Sequence, residues 1–199
     1  MADLEAKPAE QFLEALRRRN LEGKKALIAD LRSRKTDKAV GILIGVLRDD
    51  SWYLRELAVE ALAEAGEIAV PRLSELLDGG LWYTRAAAAR TLGKMGYYEA
   101  SPRLVQLLDD PNQTVQGASL ASLADFVRLG RGIQVAREFY AAGPRRCEEL
   151  RRLFLAVHPE PAELVSTLLE DPGKLTRPAQ PDEVDSADAE DVPPPTEGD

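Results

Sequence analysis

Two four-residue phrases, Trp52-Tyr53-Leu54-Arg55 and Trp82-Tyr83-Thr84-Arg85, concentrate the recognition chemistry of this chain. Indole, phenol and guanidinium groups dominate interface energetics, and a key one contributes about 2 kcal/mol or more. The two phrases hold four of the eleven aromatic residues, which comprise two Trp, five Tyr and four Phe. Two roles fit them: closing the corner of a helix hairpin over apolar neighbours, or anchoring a partner. Both hold together if Trp faces inward and Tyr outward.

Other reactive side chains do not assemble into a catalytic set. His158 is the only histidine and precedes Pro159 at an expected helix end, so a triad or metal site would rest on one exposed residue. Cys147 is alone, which rules out an internal disulfide and leaves a small apolar residue on a helical stripe. The acid pairs Asp49-Asp50 and Asp109-Asp110 fall in turns, where capping accounts for them better than general acid and base work. Gly130-Arg131-Gly132 lacks the later glycine and the preceding strand of a phosphate loop. The basic cluster Arg17-Arg18-Arg19 with Lys24 and Lys25 reads as a solvated helix end; the alternative is attraction of phosphate or of an acidic partner, including the chain's own C-terminal segment. The expectation is a non-enzymatic protein without catalytic residues, metal or cofactor.

The elements that carry the two phrases repeat. LRDDSWYLRELAVEALAEAG from Leu47 superimposes without a gap on LDGGLWYTRAAAARTLGKMG from Leu77, a period of 30 residues. VPRLSELL at Val70–Leu77 returns as SPRLVQLL at Ser101–Leu108, one residue longer. A third copy, from Leu108, replaces Trp by Gln113 and Arg by Gln116. Each unit reads as a short helix centred on Pro-Arg-Leu followed by a longer one. Leu54, Ala58, Ala61, Leu62 and Ala65 share one face of the longer helix, matched by Thr84, Ala88, Thr91, Leu92 and Met95, small enough for close helix approach. Pro71, Pro102 and Pro144 suit first helical turns, Gly66, Gly96 and Gly130 suit helix ends, and Asp110-Pro111 reads as an N-cap followed by proline.

The fold expected is all-α: an α-solenoid of stacked antiparallel helix pairs. Residues 1–35 are capping helices, with Ala9–Arg19 and Leu21–Arg34 at helical spacing; residues 36–130 are the repeats. Residues 131–170 form a C-terminal cap, where Cys147, Leu150, Leu153, Phe154 and Val157 make one apolar stripe. Residues 171–199 carry nine acids against Lys174 and Arg177 and include Pro193-Pro194-Pro195. Such a segment buries too little to offset an ordering cost of roughly 1–2 kcal/mol per residue, so a disordered acidic, Pro-rich tail is expected.

The phrase Leu-Asp-Asp-Pro, a hydrophobic-Arg pair and Ala-x-x-x-Leu-Gly, spread over Leu47–Gly66, Leu77–Gly96 and Leu108–Leu129, resembles the short HEAT-like repeats named after phycobilisome lyases. In such repeats a turn acid and the Arg opening the second helix tend to form a ladder. The resemblance puts Asp49 and Asp110 at the acid position, displaces Asp78 by one, puts Arg55 and Arg85 at the basic position, and breaks the ladder at Gln116. It implies a scaffold or adaptor that binds a protein partner through the inner, second-helix face. The residues expected to carry binding are Trp52, Tyr53, Arg55, Glu56, Trp82, Tyr83, Arg85 and Arg90. It also implies two alternatives: a bilin-lyase-like subunit or chaperone handling a tetrapyrrole or its acceptor, and nucleic-acid binding like that of HEAT-like alkylpurine DNA glycosylases. HEAT-like deoxyhypusine hydroxylases use repeated His-Glu pairs for iron, which this chain lacks.

The rows Glu56/Ala86/Gly117, Glu60/Arg90/Ala121 and Glu64/Lys94/Asp125 cross the repeats on that face. They read either as a solvated surface with inter-repeat ion pairs or as a groove in which Ala86 and Gly117 leave room for a bound chain. Of the net charge of -8, residues 171–199 hold -7 (two bases minus nine acids), leaving -1 for the rest. A near-neutral body speaks against nucleic acid, and nothing points to a small-molecule ligand. No run approaches the eighteen or so apolar residues of a membrane span, and the N-terminal residues lack a signal-peptide core. A cytoplasmic, reducing location is expected.

Overall fold

The computed structural model describes residues 20–175. The helix expected at Ala9–Arg19 and the Arg17–Arg19 cluster lie outside them, as do residues 176–199. In chain order the helices are α1 (Leu21–Arg34), α2 (Asp37–Val46), α3 (Trp52–Ala65), α4 (Val70–Asp78), α5 (Trp82–Met95), α6 (Ser101–Gln106), α7 (Gln113–Phe126), α8 (Gly132–Ala141), α9 (Pro144–Val157), α10 (Pro159–Leu169) and α11 (Pro172–Leu175). There is no strand among the described residues.

Local chemistry sets where these helices start. Asn20, Thr36, Ser51 and Asn112 precede α1, α2, α3 and α7, and each side-chain oxygen accepts a hydrogen bond from a first-turn amide: Gly23 at 2.9 Å, Ala39 at 3.2 Å, Leu54 at 3.4 Å and Thr114 at 2.9 Å. Pro71, Pro102 and Pro144 open α4, α6 and α9, where a missing N–H costs little. Gly96 ends α5 with φ +67°, and the amides of Gly96 and Tyr97 bond back to the carbonyls of Gly93 and Leu92. The expected N-cap Asp110 is displaced: α7 starts later, capped by Asn112, while Asp110 accepts from the Asn112 amide at 2.9 Å and holds the turn.

The hairpins α2–α3, α4–α5 and α6–α7 stack, with α1, α3, α5 and α7 side by side in one layer. These four helices are each 14 residues long. The repeat spacing puts their first residues, Leu21, Trp52, Trp82 and Gln113, in one row. Of the apolar faces expected for α3 and α5, Leu54, Ala58, Ala61, Leu62, Thr84, Ala88, Thr91 and Leu92 are at most 1% exposed, while Ala65 and Met95 at the helix ends are half-buried. A fully buried Leu contributes about 1.5–3 kcal/mol, so this face holds the stack together.

α5 and α7 approach each other closely. A Cβ on Gly93 would stand 2.5 Å from Ser122 Oγ and 2.9 Å from its Cα, so only glycine fits. The Ser122 hydroxyl lies 2.9 Å from the Ala89 carbonyl across the seam and 2.8 Å from the Ala118 carbonyl in its own helix, sharing its proton between them.

At the C-terminal end α8, α9 and α10 pack together. The stripe expected on α9 is divided: Leu150 and Phe154 are fully buried, Cys147 is half-buried, and Leu153 and Val157 are exposed. A terminal unit has a neighbour on one side only, which leaves the flanks of the stripe uncovered. The expected start of the tail at Asp171 is too early. Leu175 is buried, and its carbonyl accepts from Arg137 Nε at 2.9 Å, so α11 belongs to the packed body.

Candidate partner-binding site

The residue in the fourth position of each inner helix, basic in α1, α3 and α5 and Gln116 in α7, builds a ladder along the layer. Arg85 shows a complete rung. Its Nε and Nη2 donate to Asp110 Oδ2 and Oδ1 at 2.8 and 3.0 Å, a forked grip on the acid of the next turn, while Nη1 donates to the carbonyl of Gly80 in its own turn at 2.8 Å. The pair is largely enclosed, with side-chain exposures of 17% and 5%. Arg85 holds the Asp110 carboxyl below its ordinary range, against the opposing effect of burial.

Lys24 of α1 makes the first rung, with Nζ 2.8 Å from Asp49 Oδ2. Lys24 thus serves the ladder and not a solvated basic cluster. The signal that finds its role is the capping Asn20 four residues before it, as Ser51 precedes Arg55. Gln116 ends the acid-gripping half of the ladder yet keeps the other half, donating from Nε2 to the Asp110 carbonyl at 2.7 Å.

Arg55 stands between these rungs. Its Nη1 donates to the carbonyls of Asp49 and Asp50 at 2.7 and 3.1 Å, and its guanidinium lies 5.3 Å from the ring centre of Tyr83. Among the described residues no carboxylate pairs with it. The residue matching Asp49 and Asp110 is Gly79, and Asp78 is paired with Arg103 instead.

The aromatic corners are on the surface. Trp52 is 65% exposed, Tyr53 44% and Trp82 44%, and Tyr83 is half-buried with its ring edge-on to Trp82 at 5.5 Å. The arrangement under which both roles hold, Trp inside and Tyr outside, is not found, because neither Trp faces inward. A helical side chain leans back over the preceding turn, and the first residue has no such turn to cover. Leu21, 49% exposed, extends the row from α1. Leu81, which sequence reasoning passed over, adds to it: it is 52% exposed and sits at the N-cap of α5 without a side-chain cap, where the matching positions carry Asn20, Ser51 and Asn112. An apolar residue at a cap forgoes about 1 kcal/mol.

The charged rows pair diagonally, from one row to the next, across the repeats. Arg90 Nη2 stands 2.5 Å from Glu56 Oε1, off the angle of a good hydrogen bond; Lys94 Nζ reaches Glu60 at 2.6 Å, and Arg32 bridges to Glu64. These contacts match the solvated-surface reading. Of the eight residues expected to bind a partner, Glu56, Arg85 and Arg90 therefore serve inter-repeat contacts, while Trp52, Tyr53 and Trp82 are exposed beside Tyr83 and Arg55.

His158 packs edge-on against Phe154 at 6.0 Å, and burial together with Arg128 lowers its pKa. A concavity of about 560 Å³ opens between α9 and α10, lined by Tyr140, Cys147, Glu148, Arg151, Ser166 and Glu170. Burial pushes the Cys147 thiol up, away from thiolate chemistry. Arg151 and Arg152 hold the Glu148 carboxyl down at about 2, so it remains an ionised partner rather than an acid. Among the described residues, no group of three His, Cys, Asp or Glu side chains is placed to hold a metal ion, and no helix is long and apolar enough to cross a membrane.

Comparison with known proteins agrees with the architecture. Residues 70–146, running from α4 into α9, match the family described as HEAT repeats. No curated protein matches the chain.

Proposed function

We propose that this chain, which matches HEAT repeats over residues 70–146, is a non-enzymatic scaffold that docks a protein segment along the N-terminal edge of its inner helices. The observation that carries this reading is the exposed row Leu21, Trp52, Tyr53, Leu81 and Trp82. Large apolar side chains gathered on a surface mark an interaction site, and a rigid stack presents them at little ordering cost. The inner face was expected as a whole; its charged rows already pair across repeats, which narrows the docking surface to the corner.

The two tryptophans are the only ones in the chain, and both lie in this row, so intrinsic fluorescence reports on the site directly. Retention of a partner by the wild type and its loss from Trp52→Ala/Trp82→Ala, with unchanged helical circular dichroism, is the expected result. Each truncation should weaken binding by about 2 kcal/mol. Identical partner profiles from the two equally folded proteins would remove the aromatic row from consideration.

A further inference from the structure

We propose that Arg55 receives a carboxylate from a protein partner, completing the middle rung of the ladder, while Trp52, Leu81 and Trp82 grip an apolar side chain next to that acid. The proposal rests on the docking reading above and deepens it by naming the chemistry of the docked segment. Arg85 shows how the site works when filled: one nitrogen is tied to its own turn and the Nε–Nη2 edge forks onto Asp110. Arg55 is tied to its own turn in the same way through Nη1, but among the described residues its Nε–Nη2 edge has no carboxylate to grip. That edge is the one whose geometry matches a carboxylate with two parallel hydrogen bonds.

The place of the acid is open. Gly79 is exposed, and a Cβ built on it would meet nothing within 4 Å. Its backbone is extended, with φ −155° and ψ 176°, a conformation any residue adopts, so the turn does not require glycine there. Gly80, by contrast, has φ +87°. Asp49 is engaged with Lys24 and the Ser51 amide, Asp78 with Arg103, and Asp50 meets Arg55 through its backbone carbonyl and not its exposed carboxylate. An unneutralised guanidinium flanked by exposed Trp and Leu complements an acidic residue set beside an apolar one.

A peptide-display selection on the full chain tests this, followed by fluorescence titration with a synthetic peptide of the enriched sequence. Wild type should enrich peptides with Asp or Glu within a few residues of Leu, Phe or Trp, and the synthetic peptide should change the tryptophan emission. Affinity should fall at least about tenfold in Arg55→Gln and in Gly79→Asp. The first variant keeps an amide for the turn carbonyls, as Gln116 does; the second supplies the acid from within and should melt above wild type.

Enriched peptides without an acid, bound by wild type and lost by Trp82→Ala, would overturn the role of Arg55 and leave the docking row standing. Equal enrichment by wild type and Trp82→Ala, or none, would overturn both. Self-association by light scattering that vanishes in Gly79→Asp would assign the acid to a second copy and overturn the external partner.

Discussion

Asp110 shows how much one side chain carries. Held by Arg85 and by the Asn112 amide, it links α5 to the turn before α7. Asp110→Asn leaves a largely enclosed guanidinium uncompensated and should cost about 3 kcal/mol at neutral pH, read by chemical denaturation. Because folding lowers the Asp110 pKa, its contribution is complete above the unfolded value of roughly 3.9 and is lost as pH falls through the folded value. The gap between wild type and variant should therefore close under acid. Leu81 points the other way. Leu81→Ser supplies the missing cap, so it should raise stability by about 1 kcal/mol while weakening partner binding. Denaturation and tryptophan titration of the same protein separate the two effects.

Between elements, the α5–α7 seam is set by what is absent. Gly93→Ala must push apart backbone and side-chain atoms of Ser122, so a loss of about 1–3 kcal/mol is expected, measured by urea unfolding. Relief by Ser122→Gly in the double variant would identify the clash as the cause. The small-residue pattern of these helices was legible in the sequence because Ala, Thr and Leu recur at helical spacing. The particular contact was not, since glycine in a helix reads the same whether it faces solvent or a neighbour. Gly117 makes the contrast: on the next inner helix, nothing stands within 4 Å of its missing Cβ.

Across the described residues, the first and last helices join the stack in different ways. α1 joins the inner layer through Lys24 and Asp49, although it lacks the Trp-Tyr phrase that marks α3 and α5. At the other end Leu175 is buried and tied to Arg137, so removal of residues 171–199 should lower Tm by roughly 5 °C, about the loss of one buried leucine. Removal of residues 176–199 alone should leave Tm unchanged, as their composition predicts. Thermal melts of the two truncations decide the boundary.

The helix pairs, their repeat and most of their buried face were legible in the residue pattern. A 30-residue period with caps, prolines and glycines at fixed offsets leaves little choice in how such a chain stacks. The same pattern also named the aromatic corners. Which way they face and which charges remain unmatched emerge from the packing of the repeats, because both depend on the neighbouring unit. Trp52 and Trp82 stay in solvent since no turn precedes them, Arg85 finds its acid 25 residues ahead, and Arg55 finds Gly79.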